Sequence, residues 1–280
     1  MVIAVAAPTP AHAAGAPKAY RFTSTATNTK DHLLTLDHPA FNGKSTLRLL
    51  VTQYFTGVYN PHPVGVSYNY TLNKWQIVNE DEADIPVNAN FNVMLAPTAK
   101  RSDVTPQTTT HIYSFFPTGK SNAGAVLQMT HLWNPVRSLQ GTYQPNNVSL
   151  FYINPTNPPA PYSGRWSLYQ ANLDSPVAAS YNIADFSKLK IGGELVSFRH
   201  NARDANTTTL ETTITNPLTD GKPNAVLFVQ HLFTPQAATS MNEVIGVRYA
   251  DGKWRILTQD QTDKLAPMDF NITVLPAVTP

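Results

Sequence analysis

The chain of 280 residues contains no cysteine, which excludes disulfides, thiolate metal sites and thiol nucleophiles together. It is also poor in charge. Asp, Glu, Lys and Arg make up 14% of it, against roughly 25% for an ordinary soluble domain. The formal net charge is only +2 and the basic residues never gather into a stripe, so nucleic acid is not expected as a partner. No apolar run approaches the roughly 20 residues that a membrane span needs. Disorder is excluded as well, because aromatic and β-branched residues run throughout. What remains to cover the surface is Thr, Asn, Gln and Ser, a composition that favours sheets and turns over exposed helices.

Residues 1–13 (MVIAVAAPTPAHA) read as the tail of a secretory signal. An apolar stretch from Val2 to Ala7 precedes Ala11-His12-Ala13, the small-x-small pattern of a cleavage site, although the basic start of such a signal is missing. A secreted, extracellular location is the expectation.

The body of the chain repeats itself three times. In the first copy LRLLVTQYF (47–55) is followed by HPVGVSYNYTLNKWQIV (62–78) and FNVML (91–95). The third copy answers with AVLFVQHLFTP (225–235), EVIGVRYADGKWRIL (243–257) and FNITVL (270–275). In the middle stand GAVLQMTHLWNP (124–135), NNVSLFY (146–152), GRWSLY (164–169) and YNIADF (181–186), with a Pro-rich insertion at 155–164. Trp75, Trp166 and Trp254 align, and Phe91, Tyr181 and Phe270 follow them by 16, 15 and 16 positions.

Within each copy the apolar period is two. Val64, Val66 and Tyr68 alternate with Gly65 and Ser67, and Ile245, Val247 and Tyr249 do the same, as half-buried strands require. Asp251-Gly252 is a two-residue hairpin signal. The expected fold is therefore all-β: three homologous antiparallel units of four or five strands, sandwich- or barrel-like, at 20–97, 108–186 and 197–276. They pack either as one pseudo-threefold body or as a tandem array.

The segments HPVGVSY, NKWQIVNED and ANFNVML, with IGVRY, GKWRILTQD and DFNITVL in the third copy, resemble a tandem-repeat domain of unknown function seen in secreted bacterial proteins. The resemblance implies an exported bacterial β repeat. It supplies no activity and no binding residues.

Four aligned columns are candidates for chemistry. The tryptophans share parity with aliphatic residues two positions on, so Trp75, Trp166 and Trp254 are assigned to the core with Phe91, Tyr181 and Phe270, rather than to sugar-stacking platforms. Asp81, Asn172 and Asp260 sit six positions after them, where Asp or Asn either caps a turn or meets sugar hydroxyls. Glu80 and Asp84 join Asp81 in the one acidic loop, the place for a hard cation such as calcium or for a charged ligand; no other metal or cofactor is expected. Gln53, His131 and His231 end an apolar strand and read as polar residues at the rim of the core, without metal-ligand spacing. Asn92, Asn182 and Asn271 recur unchanged on the outward face of the last strand, which points to a shared backbone bond or a bulge rather than a ligand.

No nucleophile motif or phosphate loop is present, and no carboxylate pair recurs, so a non-catalytic protein is expected. The function these features favour is a secreted or cell-surface binding or adhesion protein, lectin-like, with up to three equivalent weak sites for a glycan or surface polymer. The alternative is a structural subunit that assembles with copies of itself into a fibre or coat, using Ala14 to Thr29 or the tail AVTP as a donor strand.

Overall fold

A computed structural model describes residues 15–105, 122–137, 141–153, 164–170, 177–234, 243–261 and 265–277. The leader at 1–13, most of the 155–164 insertion and Asn172 lie outside these described residues. Unit 1 contributes β1 (Lys18–Thr23), β2 (Thr29–Lys30), β3 (Leu33–Leu36), β4 (Leu49–Tyr54), β5 (Val64–Asn69), β6 (Lys74–Asn79) and β7 (Asn90–Leu95). Unit 2 contributes β8 (Lys100–Val104), β9 (Leu127–Leu132), β10 (Val148–Ile153), β11 (Arg165–Gln170) and β12 (Ala179–Asp185). A small hairpin of β13 (Lys190–Ile191) and β14 (Glu194–Leu195) leads to unit 3. That unit comprises β15 (Ser197–Ala202), β16 (Glu211–Thr213), β17 (Ala225–Phe233), β18 (Ile245–Ala250), β19 (Lys253–Thr258) and β20 (Met268–Pro276).

The chain is all-β, and pairing within each unit is antiparallel as the period of two demands. Asp251 and Gly252 both take positive φ (52° and 75°) between paired Ala250 and Lys253, the type I′ turn that their sequence signals. The sheets do not stop at unit boundaries, however. Each large sheet joins a three-stranded half of one unit to the hairpin half of another: β1-β7-β4 to β18-β19-β16, β15-β20-β17 to β10-β11, and β8-β12-β9 to β5-β6-β3-β2. The seams are short parallel pairings, Gly246↔Gln53, Gly65↔His131 and Leu150↔Leu232. Unit 1 thus leans on unit 3, unit 3 on unit 2 and unit 2 on unit 1. The cycle closes into a pseudo-threefold ring.

Two boundaries shift from the sequence reading. Lys100–Val104, which falls between the expected units 20–97 and 108–186, is the first strand of unit 2 and pairs with β12 as β1 pairs with β7. Its polar sequence KRSDV hid it, because only Ser102 and Val104 turn inward. The stretch Ala14 to Thr29 is not a free donor strand either. Lys18–Thr23 is paired along its whole length with β7, and Ala277 of the tail bridges to Ala19.

Each unit encloses its own core around its tryptophan. Trp75, Trp166 and Trp254 are all 1% exposed or less. Their Nε1–H groups donate to the carbonyls of Lys44, Asn122 and Lys222, each at 2.9 Å. Gly43 and Gly221, both at positive φ, bend those loops so that their own N–H groups meet the hairpin turns at Asn73 and Gly252. The recurring Gly-Lys pairs of units 1 and 3 are therefore clamps on the tryptophan hairpin. Phe91, Tyr181 and Phe270 fill the same three cores, also at 1% or less.

The ring is locked by the recurring asparagines. Asn92 donates to Leu227 O at 3.0 Å, Asn182 to Leu49 O at 3.1 Å and Asn271 to Leu127 O at 3.0 Å, each reaching the next unit round the cycle. Arginines opposite two of them act in the same direction, Arg21 on Ala225 O (2.7 Å) and Arg199 on Ala125 O (3.1 Å). Threonine hydroxyls complete the central contacts, Thr130 Oγ1 accepting from Val51 N–H (2.8 Å) and Thr52 Oγ1 from Val229 N–H (3.1 Å). A fourth apolar cluster drawn from all three units, with Leu50, Met94, Ala184, Phe186 and Phe228, seals this centre.

Replacing Asn182 by Ala orphans a buried carbonyl and is expected to cost about 1–3 kcal/mol. Urea denaturation of the variant should show a lower midpoint but still one transition, since no sheet belongs to a single unit. Two separated transitions would contradict the shared-sheet ring.

Candidate functional site

The three central strands β4, β9 and β17 face one another around the pseudo-threefold axis, and toward their C-terminal ends they enclose a cavity of about 130 Å³. Its wall is built from equivalent positions: Val51, Met129 and Val229, then Thr52, Thr130 and Gln230, then Gln53, His131 and His231. Histidines 100 positions apart, which sequence spacing gave no reason to combine, thus meet at one place because equivalent residues of a ring converge on its axis.

Each junction orients its member of the last column differently. Glu80 Oε1 bonds His131 Nδ1 at 2.6 Å, while its Oε2 accepts Gln144 N at 3.0 Å. Ser149 Oγ lies 2.5 Å from His231 Nδ1. Gln53 donates Nε2 to His62 O at 2.8 Å. The glycine in the repeated motifs VGVSY and IGVRY follows from this packing. A Cβ at Gly65 would lie 1.8 Å from Glu80 Oε1, and one at Gly246 would lie 2.1 Å from Gln259 Nε2. In unit 2 Ser149 occupies that position, and its hydroxyl makes the contact itself.

Among the described residues, the candidates Glu80, Asp81, Asp84 and Asp260 do not point into one site. Glu80 is buried and turned to His131, Asp81 is 2.6 Å from His62 Nδ1 and caps Ala83 N at 3.2 Å, and Asp84 is exposed. The acidic loop therefore scatters its carboxylates rather than collecting them for calcium. Among the described residues no three His, Cys, Asp or Glu side chains are placed to hold a metal ion. Asp260 is half-buried in unit 3, next to Gln259, whose side chain accepts Asn60 N at 3.1 Å.

A second feature escaped the sequence reading. Two positions beyond Gln53, His131 and His231 stand Phe55, Trp133 and Phe233, all half-exposed, one at each seam. Each meets another aromatic: Phe55 with Tyr59 (4.3 Å between centroids), Trp133 with Tyr143 (5.4 Å) and Phe233 with Tyr169 (4.6 Å, stacked). At the Trp133 seam they open into a cleft of about 300 Å³, where Tyr70, Asn69, Gln76 and Asn134 add amides and a further ring. His32 Nε2 lies 2.8 Å from the Tyr143 hydroxyl, and burial, then Glu82 and Glu80, push that phenol's pKa up. Gly141 lies so close to the Trp133 ring that a Cβ there would sit 2.1 Å from it, and the indole N–H has no acceptor among the described residues. The aligned aromatic column was the available signal, overshadowed by the invariant tryptophans.

Burial pushes His231 down to about 4 and His200 likewise to about 4, with Asp269 opposing in both. An unfolded histidine titrates near 6.5, so between these values the unfolded chain binds more protons and stability must fall as pH drops. Thermal melts should hold steady above pH 7 and lose ground from about 6.5 toward 4, and His200→Gln should shallow that loss. A melting temperature that is flat over this range would refute it.

A family model described as a domain of unknown function (DUF7452) matches the sequence three times, over residues 10–95, 73–157 and 160–274. No curated protein and no solved structure matches the chain. With its matches spanning nearly the whole sequence, this three-unit β ring belongs to the DUF7452 family, whose function is unknown.

Proposed function

We propose that the protein is a secreted, non-catalytic binding or adhesion protein of a bacterial surface, recognising neutral glycans through its aromatic seams. The observation that carries this reading is the Trp133 cleft. Half-exposed Trp133 and Tyr143 beside Asn69, Gln76 and Asn134 combine an apolar ring surface with amides that can both donate and accept. Sugar rings offer the matching surface, C–H faces edged with hydroxyls. The volume, about 300 Å³, sits at the lower end of ligand clefts.

Phe55 and Phe233 repeat the platform at the other two seams, so up to three contacts of unequal strength can act together on a polymer. The buried core tryptophans take no part. A non-catalytic role fits the Ser149–His231 pair, whose serine is 1% exposed and bonded through Nδ1 rather than presented to a substrate. The self-assembly alternative is less favoured, since Lys18–Thr23, the strand that the N-terminal stretch would donate, is already paired with β7.

A glycan array and affinity electrophoresis in neutral polysaccharide gels test the reading. Binding by the wild type and a tenfold or greater loss in Trp133→Ala, about 1.4 kcal/mol or more, are expected. A wild type that ignores every neutral glycan sinks it.

A further inference from the structure

The axial cavity is chemically unlike the Trp133 cleft and lies apart from it. We propose that it is a second ligand site, taking a small neutral polyhydroxyl group about the size of glycerol and turning away anions of equal size.

Three observations converge on this. First, His231 is 1% exposed, its Nδ1 is occupied by Ser149, and its Nε2 is buried without a partner among the described residues, although the residue lines the cavity. An orphaned buried polar atom costs about 1–3 kcal/mol, and a ligand or water that bonds it recovers that cost. A hydroxyl answers either tautomer of the ring, as donor or as acceptor, whereas an ammonium group can only donate.

Second, the charge is one-sided. Glu80 and Glu243 line the cavity, and no Lys or Arg does so among the described residues. A carboxylate or phosphate entering here would lose its water, meet two glutamates and gain no Lys or Arg in return, His131 being already bonded to Glu80.

Third, the size and walls suit a polyol. About 130 Å³ is close to the roughly 150 Å³ of an engineered cavity that holds benzene, which sets a limit of about six heavy atoms. Val51, Val229 and Ile245 give C–H groups an apolar surface, while Gln53, Gln230 and His231 supply polar ends. Glycerol and one edge of a sugar ring share this chemistry.

Saturation-transfer difference NMR on the full chain provides the test, with glycerol and lactate as probes at equal concentration. Glycerol should receive at least fivefold more saturation than lactate. His231→Phe, which removes the orphaned nitrogen, and Ile245→Trp, which fills the half-exposed rim, should each bring the glycerol signal to background. Near-UV circular dichroism checks that each variant is folded, and Ile245→Trp carries the test if His231→Phe does not fold. Trp133→Ala should leave the glycerol signal unchanged, which separates this site from the cleft whatever the outcome there. Equal transfer to lactate, no transfer to glycerol, or a signal undisturbed by Ile245→Trp would overturn the proposal.

Discussion

A buried carbonyl without a donor costs about 1–3 kcal/mol, and three carbonyls at the centre of this ring, those of Leu49, Leu127 and Leu227, take an asparagine donor from a neighbouring unit. That dependence organises the rest. Because the asparagines lie on β7, β12 and β20 and reach β17, β4 and β9, no unit satisfies its own centre. The parallel seams then extend each three-stranded half into a neighbour's hairpin, and the arginines at 21 and 199 repeat the reach one layer out. Few charges are needed, since neutral amides and hydroxyls do most of the joining.

The same geometry creates the places where a ligand can act. Strands that meet on an axis at one end, where the apolar cluster of Leu50 and Phe228 fills the space, leave room at the other, where the positions turn polar. Parallel pairings only two residues long end at these positions, just before Phe55 and Trp133 and on Phe233 itself, and leave the three rings standing at the seams. One cavity on the axis and three aromatic seams around it follow from cyclic closure alone.

The sequence made the local structure legible and the closure illegible. Alternation placed the hairpins and assigned Trp75, Trp166 and Trp254 to an inward face, and the Asp251-Gly252 turn took its expected form. The asparagine column was expected to make a backbone bond, and it does so, across units. The seams left no trace in the sequence, because two residue pairs such as Gly65↔His131 and Val66↔Leu132 impose neither a period nor a turn residue. The charged edge strand Lys100–Val104 hid for a related reason, with only two of its five side chains turned inward. Glu80 was singled out for the wrong neighbour. Its sequence context is an acidic loop, but its space is governed by Gly65, whose missing side chain lets the carboxylate fold over the strand to His131.

Gly65 and its counterparts therefore carry a meaning for inheritance. At two seams a residue of one copy orients a group of another, Glu80 over Gly65 serving His131 and Ser149 serving His231, and at the third Gly246 sits against Gln53. A copy of this repeat cannot be exchanged for its sibling without mismatching both seams it shares. The three units, though alike in plan, are specialised by place, and a recombined ring would have to relearn its seams in pairs.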